Sequence, residues 1–147
     1  MKLTTRAKYG TRALLDLALH YGKGPVLLSD TAGREGLSEK YLQHLFHALK
    51  IQGIVRSERG VNGGFLLAKD PSQIKLSDVV TILEGPLDLS DCVTDEKKCS
   101  NSNICATQEV WRRLNAAIMD TLNSMTLEDL VKIQHDKKNN KITTYQI

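Results

Sequence analysis

All of the chain's thiols lie in one short stretch, "DCVTDEKKCSNSNICATQEVW", residues 91–111 of 147. Cys92, Cys99 and Cys105 are spaced C-x6-C-x5-C in a run that is otherwise polar. Thiolates are soft ligands, suited to iron–sulfur clusters, zinc or copper. Structural zinc favours tight C-x2-C knuckles, and none is present. Wide spacing on a flexible segment suits a larger object that the loop wraps. Cysteine can also serve as a small buried hydrophobe, but a polar loop is a poor place for burial. An odd count leaves one thiol over in any all-disulfide scheme. The chemistry expected of this stretch is ligation of a metal centre.

The rest of the composition bounds what could position such a centre. Hydrophobic residues make up 41% of the chain and aromatic residues 5%, so one mainly aliphatic core is expected. No apolar run approaches the roughly 18 residues of a membrane span. The opening "MKLTTRAKYG" lacks the apolar stretch and cleavage site of a signal peptide. A cytoplasmic protein without membrane contact is therefore expected, a setting in which thiols are more often reactive or metal-binding than paired. Charge is segregated. Residues 1–80 carry 12 Lys+Arg against 7 Asp+Glu, a net of +5, and residues 81–147 carry 8 against 10, a net of −2. The basic half is a candidate nucleic-acid face, although a solvated surface can be basic by chance.

Periodicity gives the elements. Thr4 or Thr5 can cap a first helix whose Ala7, Leu14, Leu17, Ala18 and Tyr21 recur at helical spacing. Gly22 and Gly24-Pro25 stop it. "LLSDTAGREG" reads as a helix of about two turns ended at Gly36, and Ser38 caps a third helix, "SEKYLQHLFHALKIQG". The period then changes. Ile54 to Glu58 and Phe65 to Ala68 are strand-like, with the turn-rich "RGVNGG" between them. "LSDVVTILEG" is a further helix with Ser77 near its start. Asp88 to Ile104 has no period, and Ala106 to Ser124 is a long amphipathic helix marked by Val110, Trp111, Leu114, Ala117, Ile118 and Leu122. "TLEDLVKIQHDK" is a last helix with Thr126 and Asp129 as a capping box.

The order helix, helix, turn, helix, hairpin is that of a winged helix-turn-helix, whose third helix lies in the major groove. The inner stripe of that helix is Leu42, Leu45, Phe46 and Leu49, which leaves Ser38, Lys40, Gln43, His44 and His47 outward. Gln pairs bidentately with adenine, Ser reaches base or phosphate, and Lys suits a phosphate. Any amphipathic helix is polar outside, so the wing adds the second signal. Arg56 and Arg59 flank a tip containing Gly60, Gly63 and Gly64. Arginine beside a narrow glycine tip suits a minor groove. "GVNGGF" matches neither a dinucleotide loop nor a Walker loop. No nucleophile–base pair or carboxylate pair stands out, so an enzyme is not expected.

Several stretches together carry a resemblance. "MKLTTRAKYGTRALLDLA", "YLQHLF", "SERGVNGGFLLAKDP", "LSDVVTILEGPL", the three cysteines and "CATQEVW" are similar to the dimeric winged-helix regulators of the IscR, NsrR and CymR type, over about residues 1–135. The resemblance implies a homodimer crossed through its long C-terminal helices and bound to a pseudo-palindromic double-stranded operator. It implies an iron–sulfur cluster on Cys92, Cys99 and Cys105, and DNA contacts from Ser38, Lys40, Tyr41, Gln43, His44, Arg56, Arg59, Gly60 and Gly63. The fold implied is mainly α with a small β-hairpin wing and a long C-terminal dimerisation helix. Residues 1–86 would form the DNA-binding domain, 87–105 the cluster-binding loop, 106–136 the dimerisation and C-terminal helices, and 137–147 a flexible tail, with room for a short strand.

The chain departs from the pattern at three places. IscR-like members place a histidine three residues after the last cysteine, where this chain has Gln108, with Glu109 beside it as a substitute oxygen donor. NsrR-like members use an acidic residue near the position of Lys8. The acidic specificity residue of the recognition helix is Gln43 here. The expected protein is an IscR-type, cluster-dependent transcription regulator sensing cluster, iron or redox status, with 2Fe–2S favoured over 4Fe–4S. A nitric-oxide-sensing 4Fe–4S repressor of the same family is the alternative, and a metal-binding or electron-transfer protein without a DNA role is the alternative from another class.

Overall fold

The computed structural model describes residues 2–145. Its architecture is mainly helical with one two-stranded antiparallel hairpin, the class the sequence predicts. Helix α1 spans Thr5–Leu19 and buries Ala7, Ala13, Leu14, Leu17 and Ala18. Tyr21, assigned to that stripe by spacing, lies past the helix end and is 48% exposed. Helix α2, Leu28–Glu35, stops at Gly36, whose φ of 66° is left-handed backbone that glycine adopts without a Cβ clash. That turn swings the chain into α3, Glu39–Ile51. Ser38 caps α3 by accepting a hydrogen bond from the Tyr41 amide at 3.2 Å. Leu42, Leu45, Phe46 and Leu49 of α3 are at most 1% exposed and form the centre of the core.

Strands β1, Val55–Glu58, and β2, Gly64–Leu67, pair in the register Val55↔Leu67 to Glu58↔Gly64. The hairpin is fastened to the helices at two points. Val26 and Phe65 exchange both backbone hydrogen bonds, at 2.9 and 2.8 Å. The Phe65 ring also packs on Phe46, with centroids 5.0 Å apart. A side chain at Gly64 could not coexist with the first contact, since its Cβ would stand 2.3 Å from the Val26 carbonyl oxygen.

Helix α4, Leu76–Glu84, closes the core with Val79 and Leu83. The segment expected to be loop holds a short helix α5, Asp91–Thr94, and a single 3₁₀ turn, Glu96–Lys98. Helix α6, Ala106–Ser124, follows it, and most of its side chains are exposed. Helix α7, Leu127–Tyr145, returns to pack against α1. Its start is pinned by Leu76 N–H to the Met125 carbonyl at 2.9 Å and Leu127 N–H to the Ile74 carbonyl at 3.0 Å. The capping box forms reciprocally. The Thr126 amide donates to Asp129 Oδ2 at 2.8 Å, and the Asp129 amide to Thr126 Oγ1 at 3.3 Å. Leu127 is wholly buried, so α7 belongs to the same core as α1 and α3.

One expectation fails here. The polar tail from residue 137, read as loose with room for a short strand, is helical through Tyr145. "HDKKNNKITTY" contains no glycine or proline to stop a helix that has already been nucleated and anchored upstream. Its polarity decides only that the helix is solvated. Gln146 and Ile147 of that predicted tail lie outside the described residues.

Candidate nucleic-acid interface and thiol loop

Helix α3 presents Ser38, Glu39, Lys40, Gln43, His44, His47 and Lys50 as exposed side chains. Four of the five residues predicted from this helix for the DNA contact, Ser38, Lys40, Gln43 and His44, are thus on its open side. Tyr41 is not. Its ring is half-buried, packs edge-on to Tyr9 of α1 with centroids 6.4 Å apart, and its hydroxyl points to Thr5 Oγ1 at 3.5 Å. Tyr41 therefore braces α3 against α1. Spacing could not separate these duties, because a residue at the border of an amphipathic face can turn either way.

The wing divides its residues similarly. Arg56 forms an exposed ion pair with Glu58 at 2.9 Å on the same strand. Arg59 at the tip is exposed and has no ion pair among the described residues. Gly60, with φ 110° and open space around it, is the one wing glycine free to approach another surface. Gly63 is buried, and a Cβ there would stand 2.3 Å from the Glu58 carbonyl oxygen. The glycines read as an approach to DNA thus serve in part to close the hairpin on itself. Lys50 Nζ donates to Ser57 Oγ at 2.7 Å and ties the end of α3 to β1, a link the sequence gave no pattern for.

Beneath this face lies a charged network that the apolar reading of α1 passed over. Asp16 is 5% exposed. Its carboxylate accepts from Arg34 Nε at 2.8 Å, Arg34 Nη2 at 2.9 Å and Thr31 Oγ1 at 2.8 Å. His20 Nδ1 lies 2.7 Å from the Asp16 carbonyl oxygen. The signal was an acid inside the apolar run "ALLDLAL", since buried carboxylates require partners.

The thiol loop sits between α4 and α6. Cys92, Cys99 and Cys105 are all free and half-buried. Cys92 Sγ is 3.0 Å from Ser90 Oγ, and Cys105 Sγ is 3.1 Å from Thr107 Oγ1. Cys105 is the N-cap of α6. Hydrogen bonds from the Thr107 hydroxyl and the Gln108 backbone amide lower its thiol from the ordinary value, a shift toward the thiolate. In kind, three soft donors with one biased to the thiolate fit an iron–sulfur cluster. In place, no group of three His, Cys, Asp or Glu side chains among the described residues is gathered closely enough for one metal ion. The two proposed fourth ligands have other partners. Gln108 is 4% exposed, and its Nε2 donates to the Cys92 carbonyl at 2.7 Å. Glu109 is exposed and paired with Arg113 at 2.9 Å, which holds its carboxyl below the usual range.

Helix α6 has two faces. Gln108, Arg112, Asn115, Met119 and Leu122 follow one side at three- and four-residue steps. On the other, Val110 and Leu114 are 49% and 47% exposed, with Trp111 at the border 42% exposed. No helix among the described residues is long and apolar enough to cross a membrane.

Comparison with known proteins agrees with this geometry. Residues 3–133 match the family model Rrf2, described as an iron-dependent transcriptional regulator. The HTH-type transcriptional regulator IscR of Yersinia pseudotuberculosis serotype O:1b (strain IP 31758) is 41% identical over 145 residues, covering 95% of this chain and 88% of that protein. IscR of Serratia proteamaculans (strain 568) is 40% identical over the same length and shares. Among solved structures, CymR (YrzC), the global cysteine regulator of B. subtilis, superposes with a TM-score of 0.79 at 34% identity, covering 90% of this chain and 98% of that one. T. potens IscR gives 0.75 at 38% identity, covering 91% and 88%.

Proposed function

The chain belongs to the Rrf2 family of transcriptional regulators, and we propose that it is a cytoplasmic homodimer that reads a pseudo-palindromic operator under the control of an iron–sulfur cluster. The observation that carries this reading is the position of the thiol loop. It is the covalent link between α4, which closes the DNA-binding core, and α6, whose far face is apolar and exposed. A second copy seated on Val110, Trp111 and Leu114 would cover that face and set two α3 helices at a defined spacing. The thiolates of Cys92, Cys99 and Cys105 would hold the cluster, with 2Fe–2S favoured. When bound, the cluster supplies an oxygen- and redox-labile crosslink within the loop. The three thiols would then share one arrangement, and the segment 88–105 would fix α6 relative to α3. Without it the thiols would be free to take other arrangements within the docked loop, and the spacing of the two recognition helices would change. That is a population shift between DNA-binding states.

Anaerobic purification followed by visible absorption and iron and sulfide counts tests the cluster, and duplex binding in the loaded and cluster-free states tests the control. About two irons per subunit and different operator affinities in the two states are expected. Absence of bound iron and sulfide, or equal affinity with and without them, would remove this reading.

On α3, Gln43 is the proposed reader of a base edge and Lys40 the phosphate contact. Gln43→Ala should relax discrimination at one base pair per half-site, by about 1–3 kcal/mol, and leave other positions alone. A panel of single-base operator variants measures this directly. Uniform weakening across the panel would make Gln43 a backbone contact instead.

A further inference from the structure

Gln108 is a polar side chain buried to 4% exposure on a helix that is otherwise largely solvated. Its hydrogen bond reaches the backbone carbonyl of Cys92, 16 residues earlier, at 2.7 Å. That bond closes the whole cysteine segment, since Cys92 begins it and Cys105 immediately precedes α6. One turn along the same face, Arg112 Nη2 donates to Glu96 Oε1 at 2.9 Å. The second contact is an exposed ion pair and contributes little by itself. The first is sheltered from water. Breaking it would leave both the amide and the carbonyl without a partner until the loop opened to solvent.

We infer that Gln108 is a positioning residue, a latch that holds the cysteine loop on α6 through its N–H. The inference goes beyond the proposed function, because it concerns the chain's own contacts and not the cluster. Its consequence is a loop already docked on the helix that would carry the second copy. The ends of the cysteine segment are then held together by the chain itself, and the entropy of closing a segment of this length is met in folding. A side chain whose nitrogen is committed to Cys92 also makes the departure from histidine at this position intelligible.

The test uses the full-length protein freed of metal by chelator under reducing conditions. Lys97 and Lys98 are exposed and lie inside the latched segment, so tryptic cleavage after them reports its opening. Parent, Gln108→Ala and Gln108→Glu are compared, with cleavage sites identified by mass spectrometry and the thermal midpoint measured alongside. Glutamate keeps the shape and the oxygen but has no N–H to donate. Both variants should be cut at these lysines about tenfold faster than the parent, with the midpoint nearly unchanged. A latch acting through packing alone would open in the alanine variant and stay closed in the glutamate one. That result, or equal cleavage in all three proteins, would overturn the inference. Failure of the chain to take up any cluster would overturn the proposed function and leave this result standing.

Discussion

Affinity for duplex DNA should fall by about a thousandfold as salt rises from roughly 50 to 200 mM, the response of a dimer that neutralises six or more phosphates. The expectation rests on where the charges are. Residues 1–80 carry the net +5, and the exposed cations of that half include Lys40 and Lys50 on α3 and Arg59 at the wing tip. Each phosphate contact releases condensed counterions, so the logarithm of affinity should be linear in the logarithm of salt. Arg59→Ala should then weaken every duplex alike and lower the magnitude of the slope by about one per subunit. Arg56→Ala should do less. Arg56 is already paired with Glu58 at 2.9 Å, so its guanidinium is engaged within the strand and is not free to neutralise a phosphate. Fluorescence anisotropy over a salt series with the three proteins measures all of this. A flat salt response, unchanged in Arg59→Ala, would rule out the surface of α3 and the wing as the DNA face.

How much of this face could be read in the sequence depends on the range of the signal. The start of α3 was legible because its causes are local. Gly36 ends α2 in the left-handed region, and Ser38 caps α3 through the amide three residues on. The hairpin was legible for the same reason. The inner stripe of α3 fixed its outer one, and all four inner residues are buried. What escaped were contacts whose two ends lie far apart in the chain. Tyr41 meets Tyr9 and Thr5, Asp16 meets Arg34 and Thr31, and Gln108 meets Cys92. Asp16 did carry a local signal, an acid inside an apolar run, but nothing local marks Tyr41 or Gln108 as a polar residue that finds a partner within the fold. The resemblance carried Gln108 into the site as a ligand, since it stands where a histidine is expected. The structure adds a hydrogen bond from its Nε2 to the Cys92 carbonyl, and only tertiary geometry could supply that. The tail was misread for a related reason. Absence of apolar period says that a segment has no buried face, not that its backbone leaves the helix.

Among the polar contacts of the fold, the Asp16 network is one whose loss should be felt strongly. Asp16→Ala should destabilise the protein by about 3 kcal/mol, at the low end for breaking a buried ion pair. The low end applies because the Arg34 side chain is 42% exposed and can recover water, whereas Thr31 is wholly buried and cannot. Asp16→Asn keeps the volume and one acceptor, and should cost less, about 1–2 kcal/mol. The two variants also differ from the parent in pH response. Burial pushes the Asp16 carboxyl up, but hydrogen bonds from Arg34 and Thr31 and the charges of Arg34 and His20 together bring it below its ordinary value. A carboxyl whose folded pKa is depressed adds stability above its unfolded pKa, about 3.9, and loses it as pH falls toward the folded value. The gap between parent and Asp16→Asn should therefore be constant from neutral pH down to about 5 and close below about 4. Urea unfolding at a series of pH values gives both quantities. Since α2 is tied to α1 through this carboxylate and delivers the chain to α3, each variant should also weaken operator binding at temperatures where it remains folded. A gap that stays constant down to about pH 3 would mean that the Asp16 charge does not hold α2, and that Thr31 and packing do.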